Sequence, residues 1–313
     1  MKPYVVTVTL NPALDKTVVV DKLEVGGLNR VRSARTDPGG KGINVAKVLA
    51  GCGVAVKAAG LIAGADGQIL QKYLATENIT DSFIPISGET RTNLKIVDAG
   101  LNITTEINEA GFAVGRIELD AFKDKLMVLL DEACYLVLGG SLPPKVESSI
   151  YGELIEMAHS KGVKTVLDAD DAALRLGIAA KPFAIKPNLV ELENLVGRKL
   201  TDDQAVVQAA REITAKGVEI VIVSMGAKGA LVMNKKEAYR VSVSPIVPKS
   251  TVGAGDSMVG VLVYSLLKQY SLAEMARWVT AAGSATAAKP GTEVCNLAEV
   301  EQFLDKVQAE RQN

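Results

Sequence analysis

The chain has 313 residues, of which 48% are hydrophobic but only 4% aromatic, and 35 basic side chains nearly balance 36 acidic ones. This length fits one large α/β domain, and we expect a single domain over residues 1–313. The balanced charge excludes a global field that would attract nucleic acid or a membrane surface. No apolar run is long enough for a secretory signal or a membrane span, so we expect a soluble, cytoplasmic protein.

Cysteine and histidine limit the chemistry that is available. The three cysteines, Cys52, Cys134 and Cys295, are far apart, which argues against both a disulfide framework and metal-ligand spacing. His159 is the only histidine and lies near the predicted end of a helix, so a multi-histidine metal site is excluded.

Short runs rich in valine and isoleucine alternate with amphipathic stretches, which predicts βαβ units and a mostly parallel sheet covered by helices. Helices are predicted over 146–160 and 201–216, the second opening with a capping box of Thr201 and Gln204. The strand-like runs begin at Tyr4, Cys134, Lys164, Phe183 and Glu219.

Two segments, at about 15–37 and 91–108, interrupt this alternation. Both are rich in β-branched residues and contain turn signals, at Gly26-Gly27 and at 98–100. They predict strands outside the main sheet, which form either a lid that excludes water from a cleft or an ordinary edge hairpin.

The first glycine-rich turn, "DPGGKGIN", opens an amphipathic helix that ends near Gly51. Gly39 and Gly40 permit close backbone approach to a polyhydroxy ligand, while Lys41 and Asn44 supply a cation and an amide. The alternative is a tight turn with a solvated lysine.

Two further stretches follow predicted strand ends. In "KPNLVELENLVG", Asn188 and Glu191 lie one helical turn apart and can hold Mg²⁺ through its waters, although an asparagine helix cap is the alternative interpretation. In "VSMGAKGA" a strand is followed by a glycine turn, at the edge where α/β sheets bind ligands.

The stretch "STVGAGDSMVG" predicts a tight turn into a helix. Gly253 and Gly255 permit the turn, and the free amides of the first helical turn form an anion site. Asp256 is either a residue that complements the helix dipole or a general base that takes the proton of an attacking hydroxyl.

Other nucleotide motifs fit less well. The chain lacks the Walker pattern G-x-x-x-x-G-K-[ST]. Gly253, Gly255 and Gly260 approach a dinucleotide fingerprint, but the last glycine is misplaced, and Glu274 is better explained by a capping box with Ser271.

Taken together, "TLNPALD", "GGKGINVAKVL", "TRTN", "GGSLPP", "KPNLVELENLVG", "VSMGAKGAL" and "STVGAGDSMVG" resemble, from end to end, the ribokinase family of carbohydrate kinases. The likeness is to its phosphofructokinase-B branch. It implies a three-layer α/β/α body, a small β-sheet lid that pairs with the lid of a second subunit in a homodimer, and ATP and Mg²⁺ as cofactors.

The resemblance also implies roles for individual residues. Asp256 is similar to the catalytic base of the family, with the anion hole formed by Gly253, Ala254 and Gly255. Asn188 and Glu191 match its magnesium motif. The ATP site would comprise Lys186, Ser224, Gly226, Gly229 and Thr251. The sugar-phosphate site would comprise Asp15, Gly39, Gly40, Lys41, Asn44, Arg91 and Ser141.

The implied reaction is ATP-dependent phosphorylation of a ketohexose monophosphate, with fructose 1-phosphate at O6 as the first candidate. Lys41 stands where kinases of fructose 6-phosphate have glycine, whereas kinases of fructose 1-phosphate or tagatose 6-phosphate commonly have lysine. Tagatose 6-phosphate and fructose 6-phosphate remain alternative substrates, and a sugar-phosphate sensor without catalysis is the non-enzyme alternative.

Overall fold

The computed structural model describes residues 4–101 and 103–312. The predictions for residues 1–3 and 313 of the single domain, and for residue 102 of the second irregular segment, lie outside the described residues.

The strands are β1 Tyr4–Thr9, β2 Ala13–Val20, β3 Ser33–Gly39, β4 Val56–Ala63, β5 Thr80–Ile86, β6 Arg91–Asp98, β7 Ile103–Asn108, β8 Ala133–Gly139, β9 Lys164–Asp168, β10 Ala184–Ile185, β11 Ile220–Ser224, β12 Ala230–Met233, β13 Ala238–Val243 and β14 Val307–Gln312. The helices are α1 Lys41–Gly51, α2 Gly64–Thr76, α3 Arg116–Leu130, α4 Ile150–Ser160, α5 Asp171–Ala179, α6 Leu189–Val196, α7 Asp203–Ala215, α8 Ala254–Leu267, α9 Leu272–Ala287 and α10 Leu297–Phe303.

The central sheet has ten strands in the order β14-β13-β12-β11-β10-β9-β8-β1-β4-β5. The seven from β11 to β5 pair in parallel, and β12, β13 and β14 add an antiparallel edge. Parallel strands need helical crossovers, so the alternating sequence pattern folds into this sheet. The predicted mostly parallel α/β class is confirmed.

Helices cover both faces of the sheet. On one face α3, α4 and α7 bury leucine, isoleucine and phenylalanine side chains such as Phe122, Leu154 and Ile213. On the other face α1, α8 and α9 bury residues such as Ile43, Val261 and Val279. Because both faces are buried, the central strands are almost continuously apolar.

A second, separate sheet has four strands in the order β3-β2-β6-β7. Its strands match the two irregular segments of the sequence, except that β2 begins at Ala13 and β3 ends at Gly39, each two residues outside the first segment. The middle pair, β2 and β6, is parallel, and the two edge strands pair antiparallel to it. One face carries Asp15, Asn93 and Lys95, since paired residues in adjacent strands project to the same side.

Two helix starts differ from prediction. α4 begins at Ile150 rather than at 146, because residues 146–150 form successive tight turns in which the amides of Val146 and Ile150 bond to carbonyls three residues back. α7 begins at Asp203, and the carboxylate of Asp202, not Thr201, caps it by accepting from the amide of Ala205. The capping box of Ser271 and Glu274 at α9 is confirmed.

The strand order reverses next to β1, because the chain runs from β1 to β4 and β5 on one side and later from β8 outward on the other. In open α/β sheets, ligands bind at the carboxyl ends of strands near such a switch. Thr9, Gly139, Asp168 and Ser224 all end parallel strands at this edge. Within the described ranges, no helix is long and apolar enough to cross a bilayer.

Candidate active site

Two cavities meet at the amino-terminal end of α8. A small one of about 220 Å³ is lined by Asp256, and a larger one of about 600 Å³ is lined by Ala254 and Gly255. Neighbouring residues in the first turn of α8 therefore line different cavities. This arrangement allows a group bound in one cavity to approach a group bound in the other.

The small cavity is polar and has unused hydrogen-bonding capacity. Among the described residues, eight buried side-chain nitrogen or oxygen atoms lack a partner, and four belong to residues lining this cavity. Buried polar atoms are nearly always paired, so such a cluster indicates a polar ligand. The four atoms are Thr9 Oγ1, Asn11 Oδ1, Arg91 Nε and Asn93 Oδ1.

Asp256 is buried in the first turn of α8, with 8% of its surface exposed. Its Oδ2 accepts a hydrogen bond from Nδ2 of Asn44 at 2.8 Å. Burial first, and then the charge of Asp168, raise the pKa of Asp256 to about 6, while Asn44, Lys41 and Lys186 oppose this rise. A carboxylate in this range is ionised at neutral pH yet readily accepts a proton.

The turn before α8 shapes an anion site. Gly253 is the N-cap with φ +77°, a conformation that favours glycine. The amide of Ala254 donates to the carbonyl of Thr251 at 3.3 Å. The amides of Gly255 and Asp256 are therefore the first-turn donors left to face a ligand, together with the positive end of the helix dipole.

Asp15 lies on the floor of the small cavity and is held from two sides. Its Oδ1 accepts from Asn93 at 3.0 Å, and its Oδ2 pairs with Lys95 at 3.2 Å. A Cβ at position 39 would stand 2.7 Å from Cγ of Asp15, so only glycine at 39 leaves room for this carboxylate.

Lys41 and Lys186 share the buried carboxylate of Asp168. Lys41 contacts Asp168 at 3.2 Å and Asp170 at 2.9 Å, and Lys186 contacts Asp168 at 3.4 Å. Burial opposes ionisation of Asp168, but the two ammonium groups outweigh it and lower the pKa of this carboxyl. Although burial works against it, Asp168 and Asp170 together raise the pKa of Lys41.

Arg91 begins β6 and points its guanidinium into the small cavity. Its hydrogen bonds go to neutral oxygens, namely the carbonyls of Asn11 and Glu109 and the hydroxyl of Ser141 at 2.9 Å. Burial lowers the pKa of Arg91. A half-buried guanidinium held by neutral acceptors retains its charge for an anionic ligand.

The larger cavity has mainly apolar walls with a few polar groups. Met258, Ile246 and Pro248 supply apolar surface of the kind that accepts an aromatic base. From the set predicted for ATP, the cavity lining includes Ser224, Gly226, Gly229 and Thr251. Lys186 does not line it but lies beside it, since its Nζ would be 3.2 Å from a Cβ at position 255.

Asn188 and Glu191 interact with each other at the start of α6. Asn188 Oδ1 accepts from the amide of Glu191, and Glu191 Oε2 accepts from the amide of Asn188 at 2.7 Å, which is a full capping box. Asn188 also lines the larger cavity. Burial, followed by the charge of Asp168, raises the pKa of Glu191. In the described part of the chain, no three histidine, cysteine or acidic side chains form a metal-binding group.

The structure brings the predicted residues to one edge of the sheet. Four predicted residues line neither cavity but adjoin residues that do: Gly39 and Gly253 by sequence, Glu191 by its hydrogen bonds to Asn188, and Lys186 by its closeness to Gly255. The predicted set that lines the small cavity is Asp15, Gly40, Lys41, Asn44, Arg91, Ser141 and Asp256.

Sequence reasoning missed Asp168, Asp170, Asn11 and Asn93. Asp168 ends β9, and the rule that ligands gather at carboxyl ends of parallel strands would have found it. Asn93 stands inside a strand, where the strand-end rule does not apply. The motifs "TRTN" and "TLNPALD" contain Asn93 and Asn11, but only Arg91 and Asp15 were selected from them.

A mostly parallel sheet with a polar and an apolar cavity beside one helix start is typical of an α/β enzyme that transfers a group between two small molecules. The chain belongs to the family described as "pfkB family carbohydrate kinase", whose profile matches residues 8–299. The resemblance found in the motifs is thereby confirmed, and the protein is a sugar kinase of this family.

The relatives agree over nearly the whole chain. A 1-phosphofructokinase of Rhodobacter capsulatus is 40% identical over 279 residues, which is 88% of this chain and 88% of that protein. A 1-phosphofructokinase of Haemophilus influenzae is 36% identical over 308 residues, 97% of each chain. The structure of phosphofructokinase-2 from Escherichia coli in complex with fructose-6-phosphate superposes with a TM-score of 0.90 at 32% identity, covering 97% of this chain and 99% of that one.

Proposed function

We propose that the protein transfers the γ-phosphoryl group of MgATP to a ketohexose monophosphate, and that the acceptor is O6 of fructose 1-phosphate. The observation that supports this best is the position of Asp256. Its buried carboxylate adjoins the free amides of α8, at the point where the polar and the apolar cavity meet. Phosphoryl transfer needs a base and an anion site side by side.

In the proposed reaction the sugar phosphate occupies the small cavity and ATP the larger one. Arg91 and Ser141 bind the existing phosphate, and Asp15 and Asn44 hold sugar hydroxyls. Asp256 takes the proton of the primary hydroxyl, whose oxygen attacks the γ-phosphorus. The amides of Gly255 and Asp256 and the ammonium of Lys186 stabilise the charge on the transferring group.

Lys41 differs from an unpaired lysine, whose whole charge would be available to bind phosphate. Its ammonium already contacts two carboxylates, Asp168 and Asp170. We propose that it binds substrate phosphate while remaining anchored by these partners, so that Arg91 carries most of the phosphate affinity.

Magnesium fits the donors present if it keeps most of its water. Carboxylate oxygens are the ligands it prefers, and it needs few from protein when phosphates supply others. The predicted pair, Asn188 and Glu191, would hold it through water, with Asp168 as a second carboxylate nearby. Burial raises the pKa of Glu191, so a cation beside it would favour its ionised form. When bound, Mg²⁺ neutralises charge on the phosphates of ATP.

The choice of fructose 1-phosphate rests on the relatives, because the pocket chemistry is similar for each candidate. Fructose 1-phosphate and fructose 6-phosphate present a phosphate and a free hydroxymethyl group at opposite ends of the same ring. Tagatose 6-phosphate differs from fructose 6-phosphate in one hydroxyl, a difference worth about 1–3 kcal/mol. Relatives named 1-phosphofructokinase share up to 40% identity with this chain.

An ADP-release assay with these three ketohexose phosphates tests the proposal. We expect turnover with all active substrates to require Mg²⁺, and kcat/KM to be highest for fructose 1-phosphate. A higher kcat/KM for either alternative would reassign the substrate, and the absence of ADP release with all three would refute the proposed activity.

We further propose a homodimer formed through the small sheet. Its face opposite to Asp15 carries Leu94 and Ile96 on β6 and Ile103 and Ile107 on β7, as the pairing register requires. Ile103 and Ile107 are 52% and 53% exposed. Exposed apolar residues on one sheet face, next to an open edge strand, favour burial against a second subunit.

A further inference from the structure

Lys47 lies one helical turn after Asn44 on α1 and is buried, with 8% of its surface exposed. Its ammonium donates to the carbonyl of Pro38 at 2.6 Å and to Oδ1 of Asn44 at 3.4 Å. It also stands 5.1 Å from the ring centroid of Tyr73. Burying a lysine is costly unless its ammonium group is hydrogen-bonded, and one of the two bonds of Lys47 leads directly to Asn44.

The side-chain amide of Asn44 has a hydrogen-bond donor, Lys47, at its oxygen and an acceptor, Asp256, at its nitrogen. Lysine has only donors, so Asn44 must present its oxygen to Lys47. The amide nitrogen then faces Asp256 and donates to Oδ2 at 2.8 Å. A reversed amide would set its NH₂ against the ammonium and its oxygen against the carboxylate, and both contacts would be repulsive.

This orientation matters most when Asp256 carries a proton. A neutral carboxyl group can donate as well as accept, so a freely rotating amide could turn its oxygen toward Oδ2 and bind the proton there. With Asn44 held as a donor to Oδ2, the other oxygen, Oδ1, is the one available to the acceptor hydroxyl.

We propose that Lys47 is a positioning residue for proton transfer, which holds the Asn44 amide so that Oδ1 of Asp256 receives the proton in every turnover. This inference rests on the proposed kinase function. The sugar oxygen loses its proton to Oδ1 and forms a bond to the γ-phosphorus. The bond from that phosphorus to the bridging oxygen breaks, and ADP leaves with the electron pair.

The surroundings of Asp256 make the effect depend on pH. Burial and Asp168 raise its pKa to about 6, so protonated Asp256 becomes common as pH falls toward that value. Burial lowers the pKa of Lys47, and the negative charge of Asp256 is among the charges that oppose this shift. The charged groups around Asp256 are Lys41 and Lys47 from α1, Asp168 from β9, Asp170 just before α5, Lys186 after β10, and Asp15 and Arg91 from the small sheet.

The test compares Lys47→Arg with Lys47→Gln. Arginine keeps a pure donor, whereas glutamine can also accept and so permits the reversed amide. We expect Lys47→Gln to lower kcat about tenfold at pH 6 but less than about threefold at pH 8.5, while Lys47→Arg stays within about threefold at both. KM for ATP should not change in either variant.

Lys57→Met is the matched control, because Lys57 lies near the start of β4 over the ring of Tyr4, on the opposite edge of the sheet. Its kinetics should equal those of the unaltered enzyme. Urea unfolding of every variant verifies that it is folded, and Lys47→Met, which removes donor and acceptor together, should show the same pH-dependent loss as Lys47→Gln.

A double-mutant cycle identifies the route of the effect. In an Asn44→Ala background, Lys47→Gln should cause no further loss of kcat. Three results would overturn the inference. Lys47→Gln could lower kcat equally in the Asn44→Ala background, its loss of kcat could be the same at both pH values, or it could change only the KM of the sugar phosphate. If the unaltered enzyme is active and Lys47→Gln matches it at both pH values, the inference fails while the proposed function stands.

Discussion

The carboxylate of Asp256 illustrates how burial shapes the chemistry of a single residue. Burial and the neighbouring Asp168 raise its pKa to about 6, against the attraction of two lysines and the hydrogen bond from Asn44. The same environment that prepares the group to accept a proton makes its ionised form costly to bury. Function and stability therefore conflict at this position.

This conflict predicts that Asp256→Asn stabilises the fold. The pKa of Asp256 is about 6 in the native state and near 4 in the unfolded chain. The ionised carboxylate therefore destabilises the native state above pH 6, and this penalty disappears as the pH falls toward 4. We expect Asp256→Asn to raise the free energy of unfolding by about 1–3 kcal/mol at pH 8 and by less than about 0.5 kcal/mol at pH 4. Urea unfolding at both pH values measures this, and a destabilised variant at pH 8 would contradict it.

Arg91 provides a second prediction at the scale of one residue. Its guanidinium is bound by neutral oxygens, so its charge is available to the substrate phosphate. Arg91→Ala should raise KM for the sugar phosphate about 10–100-fold and leave KM for ATP unchanged. Arg116→Ala, on an arginine whose side chain is 93% exposed, is the control. If only KM for ATP rises, Arg91 has been assigned to the wrong substrate.

At the scale of elements, some of the site was predictable and some was not. The glycine turns before α1 and α8 stand out because each places glycines directly before a helix rich in apolar residues. Asp256 was found through this context. Asn93 and Lys95 were not found, because they alternate with apolar residues in β6 as in any half-buried strand. Their meeting with Asp15 depends on the parallel pairing of β2 and β6, which local sequence does not encode.

The turn before α8 yields a prediction with a close control. Gly253 and Gly162 have φ of +77° and +70°, and alanine costs about 1–2 kcal/mol in this conformation. A Cβ at 253 would also stand 3.3 Å from Val294, whereas one at 162 meets nothing within 4 Å. Gly162→Ala should lose about this much stability and Gly253→Ala at least as much, but only Gly253→Ala should lower kcat, by about tenfold or more. Equal kcat in the two variants would contradict the role of this turn.

At the scale of the whole molecule, the sheet class followed directly from the alternating pattern, but its antiparallel edge did not. β12, which belongs to that edge, has only four residues, too few for a periodic signal. β10 lies in the parallel part, and although it has only two residues, the strand-like run at Phe183 predicted it. β10 ends two residues before Pro187, which has no amide to donate to the ladder, and an isolated bridge between Asn188 and Ser224 follows. A strand as short as β12 is defined by its neighbours in the sheet.

The small sheet leads to a prediction about the oligomeric state of the protein. If its apolar face is buried between two subunits, Ile107→Glu should raise the dimer dissociation constant at least about 100-fold, because an unpaired buried charge costs several kcal/mol. Sedimentation velocity over a range of concentrations measures this. Ile117→Glu on α3, at an isoleucine that is 83% exposed, is the control and should leave the association state unchanged. A dimer that tolerates Ile107→Glu would require another interface.

The central claim is that Asp256 accepts the proton of the sugar hydroxyl beside the amides of α8. The most direct measurement is kcat of Asp256→Asn with fructose 1-phosphate and MgATP, next to Asp124→Asn on the exposed side of α3. We predict that kcat falls by about 10²–10⁴ while KM for ATP stays nearly constant, and that Asp124→Asn behaves as the unaltered enzyme. Turnover of Asp256→Asn within about threefold of that of the unaltered enzyme would contradict the claim, since general-base help is worth far more.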